Sequence, residues 1–169
     1  QLALQRACRA YARWRNLDVA EQNRLRSYDE WAWDGLHKLV PAVARDWVRQ
    51  HWYSPWRVLE AGVVCLSNAW QSAASPKAAD LDWIVPWVDR ARQMTLLYGS
   101  EKMVGYDDLQ TIMREGLRLR AGYAQQQARL TQQYILPLYQ QLYPDCLLES
   151  IRGIGLQSAA TYMAFIQDI

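Results

Sequence analysis

Near the end of the chain, Arg152-Gly153-Ile154-Gly155-Leu156-Gln157-Ser158 has the residue types a backbone needs to hold an anion. Glycines permit a tight turn and let a ligand come close to the main chain. Gly155 and the amides after it would open a helix, where the first N–H groups have no partner inside the helix and attract a phosphate oxygen. An apolar shoulder, Leu148 to Ile151, precedes the turn, and Ala159 and Ala160 are small enough for close helix packing. Ile154 would fill the space between the two helices. The pattern predicts a helix-hairpin-helix that grips a nucleic-acid backbone and reads no bases. Its expected contacts are Arg152, Gly153, Ile154, Gly155, Gln157 and Ser158. The competing reading is an αα-hairpin with a glycine turn and no ligand.

Arginines are the second set with suitable chemistry, because a guanidinium pairs bidentately with phosphate. Arg114 and Arg118 share a helix face, and with Arg120, Arg129 and Arg152 they are expected to supply long-range attraction. Arg6, Arg9 and Arg13 form another cationic face at spacings of three and four. A short arginine stripe is also what an ordinary solvated face looks like. The net charge is only +2, so bulk charge does not announce a nucleic-acid binder. The balance is uneven along the chain, however: residues 1–59 and 111–144 are basic, and residues 60–110 and 145–169 are acidic.

Other chemistries are excluded by what is missing. Cys8, Cys65 and Cys146 form no C-x-x-C pair, and His37 and His51 stand near none of them, so no zinc site is expected. Sparse cysteine fits a reducing, cytoplasmic setting. No G-x-S-x-G elbow and no phosphate loop occurs. No catalytic residue, metal or cofactor is expected. No apolar run approaches the roughly 18 residues that would suggest a membrane span. The aromatic content is unusual, with nine Trp and ten Tyr against one Phe. Trp31, Trp33, Trp47, Trp52 and Trp56, with Tyr28 and Tyr53, crowd the first third, interleaved with Arg45, Arg49 and Arg57. Core packing is the default; a platform for unpaired bases or a docking face for a protein are the alternatives.

The elements that must position these residues read as helices throughout. Residues 1–15 carry Leu4, Ala7 or Cys8, Tyr11 and Trp14 at helical spacing. Asn16 is expected to end that helix, with Asp18 capping the next and Glu21 completing a capping box. The second helix would run to about Gln50, bent or divided by Gly35 and by Pro41. Ser54-Pro55 and Ser75-Pro76 are start signals, and Pro86 should kink the stretch after the second. Gly99-Ser100 and Gly105 mark a loop. A long helix then opens at Tyr106 or Asp107, where Asp107 and Asp108 favour the N-terminus. Its pattern continues to about Leu142, disturbed by Gly116, Gly122 and Pro137. Residues 58–66 fit a strand or a buried helix. With 51% apolar and 21% charged residues, the expectation is an all-α protein of five to seven helices. It divides into a Trp-rich region (1–105), a long helix (106–143) and a helix-hairpin-helix (144–169). These parts are expected to form one compact domain or, as the start at Gln1 suggests, a piece of a longer protein.

Ser150-Ile151-Arg152-Gly153-Ile154-Gly155, then Ala159-Ala160-Thr161, Ala164 and Ile166-Gln167-Asp168-Ile169, resemble the hairpin of one recombinase group. That group comprises the Piv-like DNA invertases and the insertion-sequence transposases that use a bridging guide RNA. Their pattern is I-P-G-I-G-x-x-x-A-A-T-x-x-A-x-I-G-D-I; this chain has Arg152 for Pro and Gln167 for Gly. Residues 107–143 are similar to the coiled coil that precedes the hairpin there, so the resemblance covers about 60 residues. The family also has a RuvC-like domain with four acidic residues and a domain bearing a catalytic serine. Glu60 and Asp80-Leu81-Asp82 are faintly similar to the acidic motifs, but an expected Asp falls on Ala79 and no serine-bearing domain follows. The resemblance therefore implies DNA or RNA handling without catalysis by this chain. The other function class in view is a helical scaffold or subunit that docks on a protein, or on a second copy, through its Trp-rich half.

Overall fold

The computed structural model describes residues 1–73, 80–145 and 147–166. Among the described residues there are helices and no strands, as the periodicity predicts. In order they are α1 (Leu2–Trp33), α2 (Leu36–Leu39), α3 (Ala42–His51), α4 (Pro55–Ala73), α5 (Ile84–Tyr98), α6 (Tyr106–Leu130), α7 (Leu136–Leu142) and α8 (Leu156–Phe165). A π-turn, Thr131–Ile135, joins α6 to α7 without a break, so the predicted long helix is present. The helices fall into two compact units, Gln1–Glu21 with Leu119–Ile169, and Gln22–Arg118. Both α1 and α6 contribute one part to each.

Several boundaries differ from expectation. No break occurs at Asn16, and Asp18 caps nothing; α1 runs through both. Asn and Asp cost only a few tenths of a kcal/mol inside a helix flanked by good formers. The Asp18 carboxylate instead accepts a hydrogen bond from Arg120 Nε at 2.8 Å. The helix stops where Asp34 and Gly35 both turn left-handed, at φ 51° and 90°. Pro86 lies in the first turn of α5, where no i−4 hydrogen bond is lost, so it introduces no kink. The start signal Ser75-Pro76 lies outside the described residues. Residues 58–66 are helical, but α4 bends sharply at Gly62, whose φ of 70° and ψ of 169° leave the helical region. Gly116 and Gly122 do not interrupt α6. Pro137 is accommodated by the π-turn just before it, where the Leu136 N–H reaches back to the Thr131 carbonyl. Widening the turn relieves the clash a proline ring would have with the carbonyl four residues earlier.

In the Gln22–Arg118 unit the core is aromatic. Trp33, Trp70, Trp83 and Trp87 are buried, with Tyr53 and Tyr106, and Trp47, Trp52 and Trp56 pack against them half-buried. Trp47 meets Trp70 at 5.2 Å between ring centroids, and Trp83 meets Trp87 at 5.4 Å. Such pairs add directional attraction to the area they bury. Two of the polar handles are satisfied inside, Trp33 Nε1 donating to the Tyr53 carbonyl at 3.0 Å and the Tyr106 hydroxyl to the Ala32 carbonyl at 2.6 Å, while the buried Trp87 Nε1 has no partner among the described residues. Buried Asp29 accepts from Arg49 Nε at 3.1 Å and from the Tyr53 hydroxyl at 3.2 Å.

The other unit is built on small residues. Leu4, Ala7 and Cys8 of α1 pack with Ile135, Tyr139, Ala159, Ala160 and Ala164. Three alanines with no exposed surface let the helices approach closely, as the sequence predicts for positions 159 and 160. Trp14 stacks on Tyr123 at 5.8 Å, one turn from the Asp18–Arg120 pair.

Candidate nucleic-acid interface

The hairpin is shorter than expected. Before the turn stands a single 3-10 turn, Leu147–Ser150, in place of a helix; Ile151 N–H bonds to Leu148 O, and Ile154 N–H to Ile151 O. The chain then enters α8 through Gly153, Ile154 and Gly155. Gly153 has φ +94°, which L side chains rarely adopt, so the turn requires a glycine there. Ile154 packs half-buried against the core of this unit. Gly155 caps α8 at φ −84° and ψ 167°, extended backbone open to any residue, and a Cβ there would meet nothing within 4 Å. Neither conformation nor packing demands a glycine at 155.

The two ends of α8 are treated differently. At its C-terminus the carbonyls are taken up by side chains. Gln5 donates to Ala164 O at 2.7 Å, Gln1 to Ile166 O at 2.9 Å, and the Tyr143 hydroxyl to Met163 O at 3.1 Å. At its N-terminus no side chain caps the helix. The amides of the first turn have no acceptor inside the helix, and Ser158 is exposed beside them. Residues 167–169, which complete the sequence motif, lie outside the described residues.

Beside this N-terminus lies a groove of about 380 Å³ between α1 and α8, lined by Cys8, Tyr11, Ala12 and Arg15 on one side and Gln157, Ser158, Thr161 and Tyr162 on the other. Residues 8, 11, 12 and 15 recur at helical spacing, so α1 presents one face to it. Gln157 is held from two directions: its Oε1 accepts from Thr131 Oγ1 at 3.3 Å, and its backbone carbonyl accepts from Thr161 Oγ1 at 2.7 Å. Burial pushes the Cys8 thiol up, so it stays protonated and is no nucleophile. Among the described residues, no acidic side chain lines the groove.

The arginines expected to supply attraction meet different fates. Arg118 is held by Glu115 at 2.6 Å, and the guanidinium keeps that carboxyl below the usual range. Arg120 pairs with Asp18, Arg129 Nε donates to Gln133 at 3.1 Å, and Arg114 Nε donates to the Gln50 carbonyl at 2.7 Å. Arg114 and Arg118 belong to the Gln22–Arg118 unit; Arg120, Arg129 and Arg152 share a unit with the hairpin. Arg152 is exposed and, among the described residues, has no charged partner. The same holds for Arg6, Arg13 and Arg15 on α1, while Arg9 lies over the Phe165 ring at 5.5 Å. Arg15 is the charged groove residue that sequence reading misses, and Tyr11 and Tyr162 are the groove's missed aromatics. The signal for Arg15 was its place seven residues after Cys8, on the face that also carries Tyr11.

The aromatic platform does not form. Its arginines are committed elsewhere: Arg49 to Asp29, Arg57 to Asp107 at 2.7 Å, and Arg45 to the carbonyls of Val40 and His37. Trp31 is the exception, 62% exposed beside Tyr28 and Arg24. Glu60, Asp80 and Asp82 are exposed, Asp80 accepting the Asp82 N–H in a local turn. Lys77, Ala78, Ala79 and Cys146 lie outside the described residues. Among the described residues, no three His, Cys, Asp or Glu side chains group to hold a metal, and no helix is long and apolar enough to cross a membrane. Compared with family models, curated proteins and solved structures, the chain matches none.

Proposed function

We propose that the unit formed by Gln1–Glu21 and Leu119–Ile169 is a nucleic-acid-binding helical module, related to the helical region of the recombinases its hairpin resembles. It grips phosphates and performs no catalysis of its own, in a cell interior that leaves Cys8 and Cys65 as free thiols. The observation that carries this reading is the uncapped N-terminus of α8 opening beside a groove whose charged lining, among the described residues, is Arg15. Amides at a helix start carry partial positive charge and point outward, which suits a phosphate oxygen. Arg152, with Arg6, Arg13 and Arg15, free of carboxylates among the described residues, supplies the attraction, in place of Arg118 and Arg120, which are paired with Glu115 and Asp18.

The test is fluorescence-polarisation binding to labelled duplex DNA, single-stranded DNA and RNA across a salt series. Binding through phosphates gives a log K that falls linearly with log[salt], by about 0.9 per phosphate neutralised on a duplex. The variant Gly155→Asp sharpens it. Asp is a better N-cap than Gly, so the melting temperature holds or rises slightly. The carboxylate occupies the amides and repels phosphate, so affinity drops by roughly tenfold to a hundredfold, the worth of charge-assisted hydrogen bonds. Unchanged affinity in a folded Gly155→Asp protein would sink the hairpin contact.

One observation favours a second reading, docking on a protein partner. Arg24, Tyr28 and Trp31 line a groove of about 470 Å³ on α1 with Ser27, and these are the residue types that anchor interfaces. That reading predicts no salt-dependent binding to any nucleic acid, and a protein contact that Trp31→Ala abolishes.

A further inference from the structure

We infer that the groove between α1 and α8 receives an unpaired nucleobase, so that the ligand of this module is a single strand, a bulge or a strand end rather than continuous duplex. The inference rests on the reading of this groove as a nucleic-acid interface and names what enters it. A duplex offers a helix N-terminus only its sugar-phosphate surface, and a simple backbone grip needs no cavity. Here a cavity of about 380 Å³ adjoins the amides, a volume at the lower end of small-ligand sites, which run about 300–1,000 Å³.

Its walls suit a flat, polar-edged ring. Tyr162 stands 59% exposed on α8, and Tyr11 is half-buried on the facing helix. A large exposed aromatic beside a cavity is the feature by which stacking sites for bases are built. Ala12 leaves room between them. The edge of a base would find the Ser158 hydroxyl and the Gln157 amide, the latter held in place by Thr131 and Thr161. Arg15 at the rim, with no carboxylate in the lining, suits the phosphate that accompanies each base. These walls carry both an apolar face and a positive edge, and a nucleotide matches both at once.

The experiment measures polarisation binding of three labelled oligonucleotides of one sequence: the intact single strand, its duplex, and a single strand whose sugars lack bases. The expected order is intact strand above duplex and above the abasic strand, by about tenfold, the value of one stacked base. Tyr162→Ala, at an exposed position that the core does not use, brings the intact strand down to the abasic level; Tyr162→Phe does not. Arg15→Ala weakens all three alike and lowers the salt slope by about 1. Should the duplex and the abasic strand bind as tightly as the intact strand, with Tyr162→Ala silent, the base pocket is overturned while the backbone grip survives. Should none of the three bind at low salt, both readings fall together.

Discussion

The two units solve the same packing problem with opposite materials. In Gln22–Arg118, bulk and polarity turn inward: four buried tryptophans pack in a chain of tilted and edge-to-face contacts, and Asp29 is hydrogen-bonded by Arg49 and Tyr53 inside. Its charges cancel, with twelve basic and twelve acidic residues. In the other unit the core rests on alanines, and the protein's net charge of +2 falls here, on seven arginines against five carboxylates. Of these, Arg120 is ion-paired, Arg9 and Arg129 rest on the neutral Phe165 and Gln133, and Arg6, Arg13, Arg15 and Arg152 have no side-chain partner among the described residues. A region that spends its aromatics and charges on itself holds shape. A region that packs with small residues keeps its larger polar groups facing outward, where they can meet something else.

The widest break in this comparison is expected from core volume. Trp33→Ala should destabilise by about 3–5 kcal/mol through loss of buried surface and the cavity left behind. Trp31→Ala, two residues away on the exposed side of the same helix, should stay within about 0.5 kcal/mol. In the alanine-packed unit the sensitivity reverses: Ala160→Leu should cost about 1–3 kcal/mol by overpacking. Denaturant melts of the three variants decide it, and similar midpoints for Trp33→Ala and Trp31→Ala would refute the inward placement of the tryptophans.

A smaller effect is expected from the buried charges. Burial pushes the Asp29 carboxyl up, outweighing the opposing pull of Arg49 and Tyr53. The folded state then holds that proton more tightly than the unfolded chain does. Stability from this group is present at low pH and declines as pH rises from the ordinary carboxylate range through the raised folded value. Asp29→Asn should flatten the pH dependence of the melting temperature in that window. An unaltered slope would show that another group sets it.

The smallest difference separates arginines of the two units. Arg118→Ala removes a charge that Glu115 already answers and should leave the salt dependence of nucleic-acid binding unchanged. Arg15→Ala should reduce the slope by about 1. Equal effects from both would mean that diffuse attraction, not the groove, carries binding.

How much of this was legible in the sequence depends on how local each cause is. Helical spacing, the Ser54-Pro55 start, the stop at Gly35 and the long helix from Tyr106 follow from neighbouring residues, and each is found. The Glu115–Arg118 pair, three residues apart, was open to the same reading yet is easily passed over when arginines are counted as a stripe. Asp18 looked like a cap because its true partner, Arg120, is 102 residues away. The groove was illegible for a like reason. Arg15 and Tyr11 gain meaning only when α8 lies against them, and that packing is decided by Ala159, Ala160 and Ala164 acting across the chain.

The π-turn at Thr131–Ile135 also resets the helix's phase. Up to that point the inward stripe steps through Leu109, Met113, Gly116, Tyr123 and Leu130, and an unbroken helix would carry it next to Tyr134. Tyr134 is 47% exposed instead, while Ile135 and Tyr139 are buried. The widened turn holds one residue more than an α-turn, so the stripe resumes one position late, a rotation of about 100°. The helix thus behaves like a screw whose thread is recut partway along its length. The face that meets α8 is set by where that recut falls, and Thr131, at its first residue, is also the side chain that holds Gln157 at the mouth of the groove.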